Sequence, residues 1–427
     1  MNKSPKKKFK FGRKFAVYCA LSLLFLSNHA FSAEVSEQEI SQLKQRLTTL
    51  ENQIKENNQN NLTLSLKGGP SFKTLDGNNS FALDGRIQVD AGDIVKDKTS
   101  AARNTISMRR IWLGTSGTID HDWQYRMLIG FENNQTSIAD VFITYRGFKN
   151  LDVKIGNFFE NNGLDVSTPN LFSTFMERSS GITTFRPLRR TGVSFDPYGK
   201  NWGMHLGMFG SGTNNSATTN NKGEGFSGRA HITPINQEGH WLHLGFNGTY
   251  RTPDSSNNSV RFSSTGDSNV INAVLIDTNN ILGVKNYYQY MPEFRYQKGS
   301  FTVTTEYVKT MINRNTANNL QFNGGYFMLS YFLTGEKYGY DSKFGLPTRP
   351  KISGKGAWEL AGRYSFTDLN NKDIQGGKIN SYDLGLNYHV NDHVKFMTNY
   401  IISRLDNSAI YNKSTPQYLM FRAQLDF

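Results

Sequence analysis

Four arginines crowd the end of one polar connection. Arg178, Arg186, Arg189 and Arg190 lie within residues 159–191, against Glu160, Asp165 and Glu177 in the same stretch. A guanidinium is planar, stays protonated, and presents a fork of donors that matches two oxygens of a phosphate or carboxylate. The chemistry such a cluster supports is anion recognition at a constriction; the plain counter-reading is a set of loop charges paired with the nearby acids. Catalysis has less to stand on. No Gly-x-Ser-x-Gly elbow follows a strand and no His-Glu-x-x-His occurs. His231, His240, His243 and His389 sit among turn or strand residues, where a hydrogen-bonded imidazole is expected rather than a catalytic one. The single cysteine, Cys19, lies in the N-terminal apolar segment, so disulfides and Cys-ligated metals are excluded from the mature chain. No nucleotide motif or metal cluster is visible, and no cofactor is expected.

Anion recognition needs a frame, and from about position 80 the chain has a pattern of period two. Phe81, Leu83, Ile87, Val89 and Ala91 fall on one side of an extended segment, with Asp84, Arg86, Gln88 and Asp90 on the other. Trp123, Tyr125, Met127, Ile129 and Phe131 alternate with Gln124, Arg126 and Glu132. Trp358, Leu360, Tyr364 and Phe366 alternate with Glu359, Arg363 and Ser365, and Tyr382, Leu384, Leu386, Tyr388 and Val390 with Asp383 and Asn387. A soluble sandwich would alternate too, but three features favour a membrane barrel. The segments run about 10 residues, the length a tilted strand needs to cross a bilayer. Tyr, Phe and Trp gather near segment ends, where interface girdles sit. The last residues, Leu419, Phe421, Ala423, Leu425 and Phe427, alternate to a terminal aromatic, which resembles the signal read by outer-membrane assembly machinery. Only 37% of residues are hydrophobic, and no apolar run after the first 30 positions approaches the roughly 18–20 of a spanning helix, so a helical membrane protein is excluded. Aromatics at 13%, with 39 Gly and only 11 Pro, exclude a disordered chain.

The N terminus is of another kind. Lys3, Lys6, Lys7, Lys8, Lys10, Arg13 and Lys14 precede a short apolar stretch at 15–26, the form of a secretory signal peptide covering 1–33. Cleavage after Ser32 puts Ala30 at the −3 position; cleavage after Ala33 puts Phe31 there, a poorer fit, and both stay open. Without those seven cations the 48 basic residues fall to 41 against 35 acids, a balance of +6. The formal +13 is therefore more than half targeting sequence, and no nucleic-acid partner is read from it. Ile40, Leu43, Leu47, Leu50 and Ile54 are spaced as the apolar seam of a short coiled coil at 34–56. The reading is a periplasmic oligomerisation stalk; the alternative is one amphipathic helix leaning on another surface. An Asn-rich stretch opens a linker at 57–80.

Sixteen strands are expected over 81–427, at 81–91, 105–119, 121–132, 138–147, 151–158, 192–198, 201–210, 226–236, 240–251, 285–297, 300–312, 322–333, 356–367, 380–391, 393–406 and 417–427. The number is even, as bacterial barrels require. Tight connections follow even-numbered strands, and long polar ones such as 92–104, 211–225, 252–284, 368–379 and 407–416 follow odd-numbered ones. That is the barrel asymmetry of short periplasmic turns and long outer loops. The connection at 334–355 breaks the rule: it is long on the short-turn side, through either a slipped strand count or a real insertion. Residues 62–72 could form a further short strand. A barrel of this size encloses an aqueous channel. Parity places Arg86, Arg126, Lys154, Arg363, Lys395 and Arg422 toward it, with Glu132, Asp152, Glu359, Asp383 and Asp426. Arg404 shares parity with Phe396, Tyr400 and Ile402 and is assigned to the outer face. The stretch 159–191 is the third long connection, the one that commonly folds inward in pores of this size.

Two stretches are similar to the phosphate-selective porin O and P family. One runs Arg109-Arg110-Ile111-Trp112-Leu113-Gly114, then Ser116-Gly117-Thr118, Lys154-Ile155-Gly156-Asn157-Phe158 and Phe175-Met176-Glu177-Arg178. The other runs Gly356-Ala357-Trp358-Glu359-Leu360-Ala361-Gly362-Arg363-Tyr364-Ser365, then Asp368-Leu369-Asn370 and Gly385-Leu386-Asn387-Tyr388. The resemblance spans most of 80–427. It implies a homotrimer of sixteen-stranded outer-membrane pores, often behind a short coiled coil, and passage of anions or phosphate. No pore cation of the family is carried onto a numbered position here.

The expected protein is therefore an all-β outer-membrane pore of a Gram-negative bacterium, set in lipid and passing small hydrophilic solutes, anions such as phosphate foremost, by passive diffusion. A non-selective pore is the alternative, and a barrel adhesin using the Asn-rich loop 213–222 or an outer-membrane hydrolase are the readings from other classes. The purified mature polypeptide is expected to fold only with detergent or lipid and to make planar bilayers conduct. Folding without either, or silent bilayers, would contradict the barrel.

Overall fold

The computed structural model describes residues 37–60, 62–66, 68–96, 105–132, 135–160, 162–187, 189–213, 223–253, 258–268, 273–406 and 413–427. The expected signal peptide and positions 214–222 of the Asn-rich loop lie outside them. The chain divides into two compact units, Met1–Gln59 and Asn60–Phe427. In the first, helix α1 (Glu37–Asn60) contains all five heptad positions and runs past the boundary expected at 56. Ile40, Leu43, Leu47 and Leu50 are exposed along it. Most helical stability comes from packing an apolar stripe, so the exposed stripe of α1 calls for a partner.

The second unit is built on one antiparallel sheet of eighteen strands. The first two, Leu62–Ser65 and Ser71–Thr74, form a short hairpin in the segment expected as linker, laid on the next strand through pairs such as Phe72↔Phe81. The other sixteen are β1 (Ser80–Lys96), β2 (Thr105–Ile119), β3 (Trp123–Gly130), β4 (Ser137–Phe148), β5 (Leu151–Phe159), β6 (Arg189–Pro197), β7 (Trp202–Phe209), β8 (Gly225–Gln237), β9 (His240–Arg251), β10 (Val284–Lys298), β11 (Phe301–Arg314), β12 (Leu320–Phe332), β13 (Ala357–Asn371), β14 (Ile374–His389), β15 (Val394–Asp406) and β16 (Gln417–Asp426). Each pairs with its chain neighbours, and β16 pairs back onto β1 from Gln417↔Lys96 to Asp426↔Arg86, closing a barrel. The sixteen strands correspond one to one with those read from the alternation.

The two faces invert the arrangement of a soluble protein. Leu113, Ile143, Leu206, Phe246, Leu384 and Phe421 are exposed on the outside, whereas Gln88, Asp90, Asn247, Gln297, Ser381 and Asn387 are fully buried inside. Apolar side chains point outward because hydrocarbon, not water, is their solvent there.

Three of the described connections fold into the barrel, and a further one expected from the sequence is replaced by strand. The segment after β12 is a real insertion. It holds a small hairpin (Gly339–Asp341 with Leu346–Thr348) that enters from the short-turn side. There Arg229 donates to the carbonyls of Phe344 at 2.9 Å and Gly345 at 3.1 Å, and Tyr338 donates to Glu359 at 2.9 Å. The connection expected at 368–379 is instead nearly all strand: β13 and β14 stay paired out to Asn371↔Ile374. The cause is an apolar face that the polar composition hid, since Leu369 and Ile379 are buried against the β9–β10 loop and Ile374 packs on the same cluster.

That loop, 252–283, and the β5–β6 loop, 160–188, share a core. Val166, Phe175, Ile182 and Phe185 pack with Val260, Phe262, Leu275 and Ile276 and with the wall residues Ile312 and Phe322. The β5–β6 loop carries two single-turn helices, α2 (Leu164–Ser167) and α3 (Ser180–Thr183). Glu306 on β11 accepts from the amides of Leu164 at 2.6 Å and Asp165 at 2.8 Å, and Asp267 accepts from Ser180 at 2.5 Å. Helix α3 lies so close to the wall that a Cβ on Gly181 would collide with the backbone of Gly325 and Phe366.

Gly181→Ala is therefore expected to push α3 off the barrel wall, at an overpacking cost of about 1–3 kcal/mol. The measurement is single-channel conductance, which should rise as the loop withdraws; an unchanged conductance would count against this packing.

Candidate functional site

The site begins with an irregularity in β2. Adjacent strand residues normally face opposite ways, yet Gln88 pairs with Arg110 and Val89 with Met108, which leaves Arg109 as the extra residue of a β-bulge. The bulge turns both guanidinium groups inward. Arg109 donates to the Glu177 carboxylate from Nε at 2.8 Å and Nη2 at 3.1 Å, and Arg110 donates to Gln88 Oε1 at 2.6 Å.

Facing them is the β5–β6 loop. Arg178 donates to the carbonyls of Asp165 at 2.7 Å, Val166 at 3.1 Å and Thr168 at 2.8 Å, occupying free carbonyls at the end of α2. The Ser179 hydroxyl caps α3 by accepting from Gly181 N at 3.1 Å. Arg186 lies over the Phe159 ring, 5.7 Å from its centroid, and its Nη1 has no hydrogen-bond partner among the described residues. Together with Thr183 and with Ser263, Ser264, Thr265 and Gly266 from the β9–β10 loop, these residues enclose a cavity of about 210 Å³.

The electrostatics are lopsided. Four guanidinium groups, those of Arg109, Arg110, Arg178 and Arg186, meet one carboxylate, Glu177. Among the described residues only Arg109 of the four forms an ion pair. Burial alone would raise the Glu177 carboxyl, but Arg109, Arg422 and Arg110 outweigh it and hold the group well below the usual carboxylate range. Burial pushes Arg186 down to about 9, and the neighbouring charges of Arg178 and Arg189 add to the effect. Arg186 remains charged at neutral pH, so an anion entering the cavity relieves an existing repulsion.

A track of cations continues along the wall. The Trp112 ring lies 4.8 Å from Arg86, 5.2 Å from Arg189 and 5.7 Å from Arg110, and Arg189 is 3.9 Å from the Phe159 ring. Further down, Arg126 pairs with Asp84, and Lys154 sits 3.7 Å from Asp196. The side chains of Arg109, Arg126, Lys154 and Arg189 keep 16–27% of their exposure, against at most 4% for Arg229 on β8, Arg363 on β13 and Arg422 on β16. The inserted segments pack on β11 to β13 through Leu164, Gly181 and Ile182 and also reach β1, β2 and β5 through Asn170, Glu177 and Lys343.

The four arginines expected as one cluster are divided. Arg178 and Arg186 line the cavity. Arg189 and Arg190 are the first residues of β6 rather than loop residues, and as strand neighbours they diverge. Arg189 turns to Asp140 at 2.7 Å beside the track, whereas Arg190 is buried with Glu160 at 3.2 Å, away from the cavity. Of the residues given lumen parity, several hold inserted segments or neighbouring strands. Arg86 donates to Asn170 and Lys395 to the Ser173 carbonyl; Arg363 reaches Asp383 and the Glu177 carbonyl; Arg422 pairs with Asp90 at 2.6 Å; Glu359 accepts from Tyr338 and Asn387. Arg404 lies over Tyr382, 5.4 Å away, on the outer side. His231, His243 and His389 contact Ser342 O, Tyr340 Oη and Glu359, and His240 contacts Tyr296. Parity could not assign Arg109 and Arg110 together to the site. One signal was present: two consecutive strand arginines would put one on the lipid face at roughly 2–4 kcal/mol unless a bulge intervened.

The model of the family described as phosphate-selective porin O and P matches residues 81–427. The chain belongs to that family. It is an outer-membrane porin, and both family and fold are those of a channel. Porin O of Pseudomonas aeruginosa is 24% identical over 384 residues, covering 81% of this porin and 87% of that one. An uncharacterised protein of Caulobacter vibrioides is 30% identical over 354 residues, 79% of this chain and 71% of its own. Among solved structures, the anion-selective porin of Comamonas acidovorans superposes with a TM-score of 0.56 at 11% identity, over 82% of this porin and 100% of that chain. At that identity the likeness concerns the barrel.

Removing the one cavity carboxylate with Glu177→Gln should raise the anion-to-cation permeability ratio, read from the reversal potential across a salt gradient. In the native porin the depressed Glu177 carboxyl stays ionised as pH falls from 8 into the ordinary glutamate range near 4.3, so its contribution should be flat over that window and lost only below it.

Proposed function

We propose that this porin selects small inorganic anions, phosphate among them, at the cavity lined by Arg109, Arg110, Arg178 and Arg186. One observation carries the reading: four guanidinium groups line about 210 Å³ with one carboxylate, and among the described residues three of the four form no ion pair. A tetrahedral oxyanion can accept from several such donors at once, whereas a cation entering meets net repulsion. The described specificity of the family and the anion selectivity named for the Comamonas porin agree with this. Arg189 and Trp112 extend the path, Arg86 holds Asn170 beside them, and Arg190 acts through packing.

The wider organisation follows the same reading. A signal peptide at 1–33 directs export and is removed after Ser32 or Ala33. Residues 34–56 associate as a coiled coil through Ile40, Leu43, Leu47, Leu50 and Ile54, residues 57–80 connect, and 81–427 form the pore of a homotrimer in the outer membrane of a Gram-negative bacterium. The short turns, and the insertion at 334–355, face the periplasm. The chain has no catalytic role in this scheme; its imidazoles anchor packed segments.

Arg110→Gln and Arg186→Gln test the proposal in planar bilayers with chloride and phosphate exchanged. Each removes charge-assisted hydrogen bonds worth about 1.5–3 kcal/mol, so phosphate block of the chloride current should weaken roughly ten- to hundredfold. The anion-to-cation ratio should fall with it. Unchanged block and selectivity in both variants would overturn the reading.

A further inference from the structure

The inward arginines of the packed wall are held by carboxylates, with one exception. Arg190 and Arg251 pair with Glu160, Arg229 with Glu293, Arg363 with Asp383 and Arg422 with Asp90. Arg295, on β10, has no carboxylate within ion-pair distance among the described residues, although it is 5% exposed. Its Nε and Nη2 find no hydrogen-bond partner there either. The guanidinium is clasped between two rings, 5.6 Å from Trp241 and 5.1 Å from Tyr338, the second supplied by the inserted segment.

The neighbours share the deficit. Trp241 Nε1 and Thr304 Oγ1 are also unpartnered, and both residues are 1% exposed. The register gathers them: Arg295 stands opposite Thr304 on one side and His243 on the other, and Trp241 is two residues from His243 on the same face of β9. Indole and guanidinium nitrogens only donate, and a hydroxyl can. A buried charge left in this state is costly, and a set in which every member can donate is complementary to an anion.

We infer that Arg295, Trp241 and Thr304 form a second anion site, for a small inorganic anion of halide or phosphate size. It sits near the short-turn end of β10, whereas the arginine cavity lies toward the long-loop end of β2. An anion passing the first site is received by the second before release. The role in passage rests on the anion-porin reading; binding at Arg295 does not.

Bromide soaks of crystals of the full porin, with data collected above the bromine edge, decide the matter. The expected result is an anomalous peak within hydrogen-bond distance of Arg295 Nε or Nη2. It should be lost in Arg295→Gln, weakened in Trp241→Phe, which keeps the ring and fold, and unaffected by Arg186→Gln. Soaks with added phosphate identify the anion: displacement of the peak marks an oxyanion site and persistence a halide site, each supporting the inference. A peak in the arginine cavity with none at Arg295, or a peak at Arg295 that survives its substitution, overturns the second site and leaves the proposed function standing. Absence from both, with no anion preference in bilayers, overturns both.

Discussion

The whole architecture depends on one pairing, that of β16 with β1. A sheet surrounded by hydrocarbon cannot leave edge amides and carbonyls to the solvent, because lipid offers them nothing. Ten residue pairs from Gln417↔Lys96 to Asp426↔Arg86 join the ends of the sheet and make the outer face a continuous apolar surface. Once the sheet is closed, every side chain excluded from the outer face is committed to the inside. The interior therefore receives an unusual density of charge, and the remaining design is a response to it.

That response is two-fold. On the wall from β8 to β16, inward charges are neutralised in place or spent on holding inserted chain: Arg229 with Glu293 and the carbonyls of the β12–β13 insertion, Arg363 with Asp383 and the β5–β6 loop, Glu359 with Tyr338. Glu306 does the same for the start of α2. These contacts bring inserted chain into a cylinder too wide for wall side chains to fill alone. On the wall from β1 to β5 inserted chain is also held, Asn170 by Arg86, Glu177 by Arg109 and Lys343 by Asp152, yet Arg109, Arg126 and Lys154 keep part of their exposure. The loops that narrow the channel are fixed by buried hydrogen bonds and a shared apolar core, which makes the charged cavity a preformed site.

Legibility in the sequence followed the range of the interactions. The alternation from Phe81 to Phe427 revealed all sixteen strands, because exposure to lipid or lumen is decided residue by residue along a local period. The chain from Leu369 to Ile379 was read as loop because its apolar residues are spread among Asn, Asp, Lys and Gly; the burial that orders them comes from a loop a hundred residues earlier. The length of 334–355 was visible as an anomaly, but its inward course is set by Arg229, His231 and His243, whose partners are more than ninety positions away. Arg190 was grouped with its neighbours by proximity in sequence, and Arg109 and Arg110 were given no place in the site; one strand start removes the first from the cavity and one bulge brings the other two into it.

By itself the sequence determined that the chain is a barrel, which face of each strand meets lipid, and that arginine-rich chain lies between the fifth and sixth strands. These follow from hydrophobic periodicity and composition, which act over two to ten residues. Only the tertiary structure decided which arginines share a cavity, which are neutralised, and which keep part of their exposure. Those outcomes depend on carboxylates and carbonyls delivered from distant strands, and the strength of an ion pair is fixed by a few ångströms of separation that no local pattern encodes.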